Sequence, residues 1–228
     1  MLRKSTNAGR RSAVITGVLL IAGLVSGILS VVPVIDGAEY LVKASINENQ
    51  VLRGAFFQLF MIVSYVGIPI LLYPILSMHN KGLALGSVAF GIIAGVFIIL
   101  GVITLLLLLT VSHEFAKVGD LHVSYFQTLG GLLREGRDLV NHVATTLAFV
   151  LALFLFTYLF YQTKLVPRCL SVWGLIGSTL SILASLLFMI RFIGLDTVYM
   201  MLNIPIAFQQ LVLAIWLIMK GFNPTKQD

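Results

Sequence analysis

LGSVAFGIIAGVFIILGVITLLLLLT, residues 85–110, contains no charged side chain. A barrel strand would alternate apolar and polar residues over about 10 positions, and an amphipathic helix in water would keep one polar face. This run does neither. At about 1.5 Å per residue it is long enough to cross the roughly 30 Å hydrocarbon core of a bilayer. The continuous apolar character therefore reads as a membrane-spanning helix, whose backbone groups are all satisfied internally.

Working outward from it, five more stretches qualify, at about 13–33, 54–77, 138–162, 170–192 and 198–219. The expected fold is all-α: a polytopic bundle of six transmembrane helices forming one domain over residues 1–228, with both termini on one side. Composition agrees, since 59% of residues are hydrophobic and 11% are charged, against about 25% charged in an ordinary soluble domain. The mean hydropathy is +1.02. The run at 13–33 follows "MLRKSTNAGRR", the kind of charged start a signal peptide has. It exceeds the usual apolar region of about 7–15 residues, and no small-x-small cleavage site follows it, so it reads as a retained first span.

Basic residues orient the bundle. If the termini are cytoplasmic, that side carries Arg3, Lys4, Arg10, Arg11, Lys81, Lys164, Arg168, Lys220 and Lys226, with Asp228 as its single acid. The opposite side carries Lys43, Arg53, Lys117, Arg134, Arg137 and Arg191 with all the other acids. The Lys/Arg bias places both termini inside, in the plasma membrane. It also accounts for the net charge of +6 without nucleic acid, because no basic patch interleaves with aromatic residues. A single cysteine, Cys169, rules out an intramolecular disulfide.

The long connection between the third and fourth spans carries Leu121, Val123, Tyr125, Phe126, Leu129, Leu132 and Leu133 at helix-like spacing, interrupted by Gly130-Gly131. This predicts an interfacial helix on the outer leaflet, or a cover over the helix ends. Gly23-xxx-Gly27 and Gly91-xxx-Gly95 predict close helix-packing faces. Pro69, Pro74 and Pro205 should bend or loosen their helices.

At the entry to the fourth span, "REGRDLVNHVATT", residues 134–146, concentrates polar groups. On a uniform helix Arg134, Arg137, Asp138, Asn141, His142, Thr145 and Thr146 share one half of the surface. Asp138 and His142, Arg137 and Asn141, and Arg134 and Asp138 are then neighbours four apart. Ionisable groups at membrane depth should face protein or a wet cavity. A pocket formed by Arg137, Asp138, Asn141 and His142 is expected, with Gln58, Arg191 and Asn203 as further contributors. The same groups would equally serve as a helix-tying network. A metal would have to be held by His142, His113 and His122, whose spacing matches no metal motif, so no metal or other cofactor is expected.

The segments "SVVPVIDGAEYL", "NENQVLRGAFFQL", "GRDLVNHVA", "KLVPRCLSVWGLIG" and "LVLAIWLIMKGFNP" together resemble the prokaryotic membrane-protein family catalogued as domain of unknown function 4386, over about Ser12 to Pro224. The resemblance implies a small multi-span membrane protein and carries no catalytic residue with it. The expected role is binding or moving a small or lipid-like molecule through an outward-facing polar pocket. A metal-assisted intramembrane enzyme using His142 and an accessory or sensor subunit are the alternatives, and the residues lean away from an enzyme. The expected partners are the lipid bilayer and such a ligand; nucleic acid is not among them, and no protein partner is specified. The topology predicts that a membrane-impermeant maleimide labels Cys169 in broken cells only; labelling in intact cells would reverse it.

Overall fold

The computed structural model describes residues 2–118 and 123–223, and no strand occurs among them. The helices are α1 (Leu2–Leu29), α2 (Tyr40–Ile46), α3 (Glu48–Leu76), α4 (Lys81–Val118), α5 (Val123–Leu139), α6 (Thr146–Thr163), α7 (Arg168–Met189) and α8 (Thr197–Met219). A 3₁₀ turn, Pro33–Ile35, precedes α2, and a π-helical turn, Val140–Thr145, joins α5 to α6. Six helical segments are long and apolar enough to span a membrane, the fourth being the continuous Val123–Thr163. The protein is a multi-pass membrane bundle.

The spanning helices form a closed ring in chain order: α1 packs on α3, α3 on α4, α4 on α6, α6 on α7, α7 on α8, and α8 returns to α1. Lipid offers no hydrophobic drive for this association, so close packing carries it. On the α3–α4 seam, a Cβ at Gly91 would lie 2.7 Å from Pro69 Cγ and 2.8 Å from the Tyr65 carbonyl oxygen. Pro69 has no N–H for that carbonyl four residues earlier, and the bare glycine lets α4 cover it. Gly95 meets Val66 and Ile62 on the same seam, and Gly23 of α1 meets Ser64 of α3. The Gly91–Gly95 face is therefore a packing face, whereas of the other pair only Gly23 packs closely and Gly27 meets nothing nearer than Met61 Cε at 3.9 Å. Helix α7 presents Ser171, Gly174, Gly177, Ser178, Ser181, Ala184 and Ser185 inward, and Gly177 lies against the Ile206 backbone of α8.

Ring closure between α1 and α8 depends on Arg10. Its guanidinium donates to the carbonyls of Leu217 (3.2 Å), Ile218 (2.6 Å) and Met219 (3.3 Å). These are the last carbonyls of α8, which have no N–H partner within the helix and favour a cation. Gly17 packs on the Ala214 carbonyl and Ile218 one turn further in. Asn223 fastens the same end, its side chain donating to Lys164 O (2.9 Å) and its backbone N–H to Leu165 O (2.7 Å). Inside the ring, Leu20, Leu72, Leu153, Phe156, Phe160, Leu213 and Leu217 fill the half nearest the termini.

The other half, called distal below, is built differently. Helix α2 docks on α4 through a hydrogen bond from the Ser112 hydroxyl to the Leu41 carbonyl, and Val32, Ile35, Leu41, Val51, Ile98 and Leu105 form a second core there. The segment expected as an interfacial helix, or as a cover over the helix ends, is helical. From Val123 onward it is α5, which packs on α4 and continues into the fourth span; Leu121 lies outside the described residues. Gly130 does not interrupt it, because the missing side chain makes room for Leu41 and the Tyr40 hydroxyl. Nor do the prolines end their helices: α3 continues through Pro69 and Pro74, and α8 through Pro205.

The glycine seams predict an asymmetry measurable by thermal unfolding in detergent. Gly91→Leu should destabilise the protein by about 1–3 kcal/mol through forced separation of α3 and α4. Gly27→Ala, whose added Cβ would meet only Met61 Cε at 3.9 Å, should stay within about 0.5 kcal/mol of wild type.

Candidate functional site

The distal half of the ring encloses a cavity of about 900 Å³, large enough for a small organic ligand. Its walls differ in kind. Helix α1 contributes Leu19, Leu20, Leu24 and Ile28, all apolar, and Val31 follows just beyond its end. The facing wall, from α5 through the π turn into α6, contributes Arg134, Arg137, Asp138, Asn141, His142 and Thr145. Gln58 and Ser64 enter from α3, Ser181 from α7, and Asn203 and Gln210 from α8.

The π turn sets the geometry of the polar wall. One extra residue in the turn shifts the side chains after it relative to those before it. Asn141 settles against α4 at Gly101, where any Cβ would collide with its Oδ1. The carbonyls of the widened turn find hydroxyls: Thr146 Oγ1 donates to Asn141 O (3.1 Å) and Tyr199 Oη to His142 O (3.3 Å). The His142 ring meets the same tyrosine, Nδ1 to Oη at 3.3 Å, and stands edge-on to Phe188 and Tyr199. Tyr199 is held in turn by the N-cap of α8, where Asp196 accepts from the Val198 and Tyr199 backbone N–H groups at 2.9 and 3.3 Å.

Two of the neighbour pairs expected on a uniform helix are replaced by others. Asp138 pairs with the adjacent Arg137, Oδ1 to Nη1 at 2.9 Å, rather than with His142. Arg134 turns to the carbonyls of Asp36 and Gly37 and lies over the Tyr40 ring, 5.4 Å from its centroid. Burial raises the Tyr40 phenol above its ordinary pKa, and the Arg134 charge pulls in the opposite direction. Of the predicted pocket residues, Arg137, Asp138, Asn141, His142, Gln58 and Asn203 lie on the cavity wall. Arg191 does not: it pairs with Glu135 on the exterior.

The metal candidates are not brought together. His113 faces Glu48 at 3.5 Å on the exterior, His142 faces Tyr199, and His122 lies outside the described residues. Among the described residues no three His, Cys, Asp or Glu side chains cluster closely enough to hold a metal ion. Conversely, Ser64, Tyr65, Ser181 and Gln210 line the cavity and were not among the predicted site residues. Helical spacing on α3 could have found the first two, since Gln58, Met61, Ser64, Tyr65 and Ile68 form one stripe facing the cavity.

Four buried polar atoms on residues of the cavity wall have no hydrogen-bond partner among the described residues, Gln58 Oε1, Ser64 Oγ, Arg137 Nε and Thr145 Oγ1, as is also true of atoms elsewhere in the bundle such as Thr16 Oγ1, Ser171 Oγ and Ser178 Oγ. The four wall residues are deeply buried, with 7%, 1%, 7% and 7% exposure in that order. Fold and cavity together define an integral membrane bundle with a partly polar chamber inside its distal half. The chain belongs to the family described as Domain of unknown function (DUF4386), whose model matches residues 15–221. No curated protein and no solved structure matches it.

The Arg137–Asp138 pair predicts a non-additive double mutant. Asp138→Ala leaves a buried guanidinium without its carboxylate and should cost about 3–5 kcal/mol, whereas Arg137→Met with Asp138→Leu together should recover most of that loss. Thermal unfolding of Asp138→Ala, Arg137→Met and the double variant beside wild type measures the coupling; a double-variant loss equal to the sum of the single losses would show that the pair is not coupled.

Proposed function

We propose that the cavity binds, or passes, a small or lipid-like molecule, and that it opens to the outside of the cell from a bundle whose termini lie in the cytoplasm of the plasma membrane. The orientation rests on the Lys/Arg bias between the two ends. The observation that carries the binding reading is a cavity of about 900 Å³ inside an apolar bundle, with Arg137, Asp138, Asn141, His142 and Asn203 on its wall. Charged and amide side chains at membrane depth are retained where they face protein or a wet space, and a ligand offering both donors and acceptors would complement that wall.

The Asp138–His142 dyad that would orient a catalytic base is not formed, and His142 is bonded to a tyrosine, which favours binding over acid–base chemistry at this site. The distinguishing experiment is native mass spectrometry of the protein purified in mild detergent, as wild type, Thr145→Val and Gln58→Leu. Each substitution removes a polar atom that the folded chain leaves unpartnered. Stability should therefore hold or rise, while a mass retained by wild type falls about fivefold or more in both variants. A bare wild-type protein, or a retained mass that neither variant diminishes, would overturn the reading.

A further inference from the structure

We infer that the cavity receives its occupant sideways from the bilayer, through a slot between the distal halves of α1 and α8, and that this occupant is an amphiphile with an uncharged or zwitterionic headgroup. The inference rests on the reading of the cavity as a binding site. The close contacts joining α1 to α8, those of Arg10 and Gly17, lie toward the termini. Further along, Leu20, Leu24 and Ile28 of α1 recur every fourth residue along the cavity. Met200, Asn203 and Ala207 of α8, spaced by three and four, line it from the other side. Ile28 and Met200 are also 74% and 62% exposed. A side chain that lines a cavity while remaining mostly exposed stands at the edge of an opening, and the outer surface between two spanning helices is the one lipid covers.

Depth supports a membrane ligand. From Leu19 to Ile28 the apolar wall of α1 extends about 14 Å along the helix axis, close to half of the roughly 30 Å hydrocarbon core and therefore about one leaflet. The polar wall is graded along the same direction. Asp36, Arg134, Arg137 and Asp138 belong to its distal part, while Ser64, Thr145 and Gln210 supply only hydroxyl and amide groups. An alkyl chain fits along α1, with its headgroup among the charged residues.

Charge selects the headgroup class. The charged lining comprises two cations and two acids: Arg137 is paired with Asp138, and Arg134 is engaged by the Asp36 and Gly37 carbonyls. No cation is left in excess to neutralise a net anion. The rest of the polar wall mixes donors and acceptors, the amides of Gln58, Asn141 and Asn203 beside the hydroxyls of Ser64 and Thr145, the complement of a headgroup carrying both kinds of group.

The test uses the full chain in nanodiscs of equal dioleoyl phosphatidylcholine and dioleoyl phosphatidylglycerol, released into mild detergent for native mass spectrometry. A parallel sample in detergent receives glycerophosphocholine, the same headgroup without its chains. Retention of phosphatidylcholine over phosphatidylglycerol by about tenfold is expected, with no retention of glycerophosphocholine. Ala207→Phe, which adds bulk in the slot without touching the polar wall, should lower retained phosphatidylcholine about tenfold; Ala207→Ser should not. If Ala207→Phe melts early, Gly27→Leu blocks the slot from the α1 side, where an added Cβ meets almost nothing. Equal or preferred retention of phosphatidylglycerol would overturn the headgroup assignment. Glycerophosphocholine binding, or undiminished lipid in a folded slot variant, would overturn lateral entry while leaving the cavity a binding site. Retention of no probe by wild type would overturn both.

Discussion

How close two helices can come inside lipid governs nearly everything else in this bundle. Water contributes no drive for association there, so each seam of the ring needs residues small enough for backbones to touch. Gly91 over the Tyr65 carbonyl, Gly177 on the Ile206 backbone and Gly17 on the Ala214 carbonyl supply three such seams. With the seams fixed, the interior is decided by side-chain size. Toward the termini the ring is filled by Phe156, Phe160 and a set of leucines. In the distal half, Gly23, Gly27, Ser64 and Ala207 stand on the inner wall, and the space they do not fill is the cavity.

The polar side of that space is expensive, and the magnitudes show how it persists. The ion pair between Arg137 and Asp138 holds two charges in a mostly buried position, where removing either partner costs more than the pair itself contributes. Around it the π turn departs from the regular helix, and the Thr146 and Tyr199 hydroxyls donate to its carbonyls at Asn141 and His142. A leucine and valine wall would avoid both costs. Keeping the polar one fits the binding role proposed for the chamber.

Span number, helical class and family were legible in the sequence because each rests on long, continuous signals: uncharged runs long enough to cross a bilayer, and five separated segments of family resemblance. The glycine seams were legible at Gly91 and Gly95, where the small residues recur at the spacing that packing needs. The polar wall was legible as a group of residues and illegible as a set of contacts. Asp138 and His142 stand four apart in the chain, but the extra residue of the π turn breaks the uniform 100° step on which that pairing depends. Arg191 was drawn into the expected pocket by its position at the end of the fifth span; nothing in the local pattern announced Glu135 as its partner. Ser64 and Gln210 were hidden for the opposite reason, since small or amide side chains within apolar spans look the same whether they face a neighbouring helix or a chamber.

Helix α4 has 38 residues and the joined fourth span 41, each about 60 Å long, roughly twice the hydrocarbon thickness of a membrane. Their distal ends must therefore stand clear of the lipid, where Glu114 and Lys117 form an exposed ion pair. No loop separates α5 from the π turn, so α5 is a stiff arm rooted in the cavity wall. It is braced on the way, against α4 and, at Gly130, against Tyr40 and Leu41 of α2. The chamber wall is thereby tied directly to the part of the bundle that stands outside the lipid.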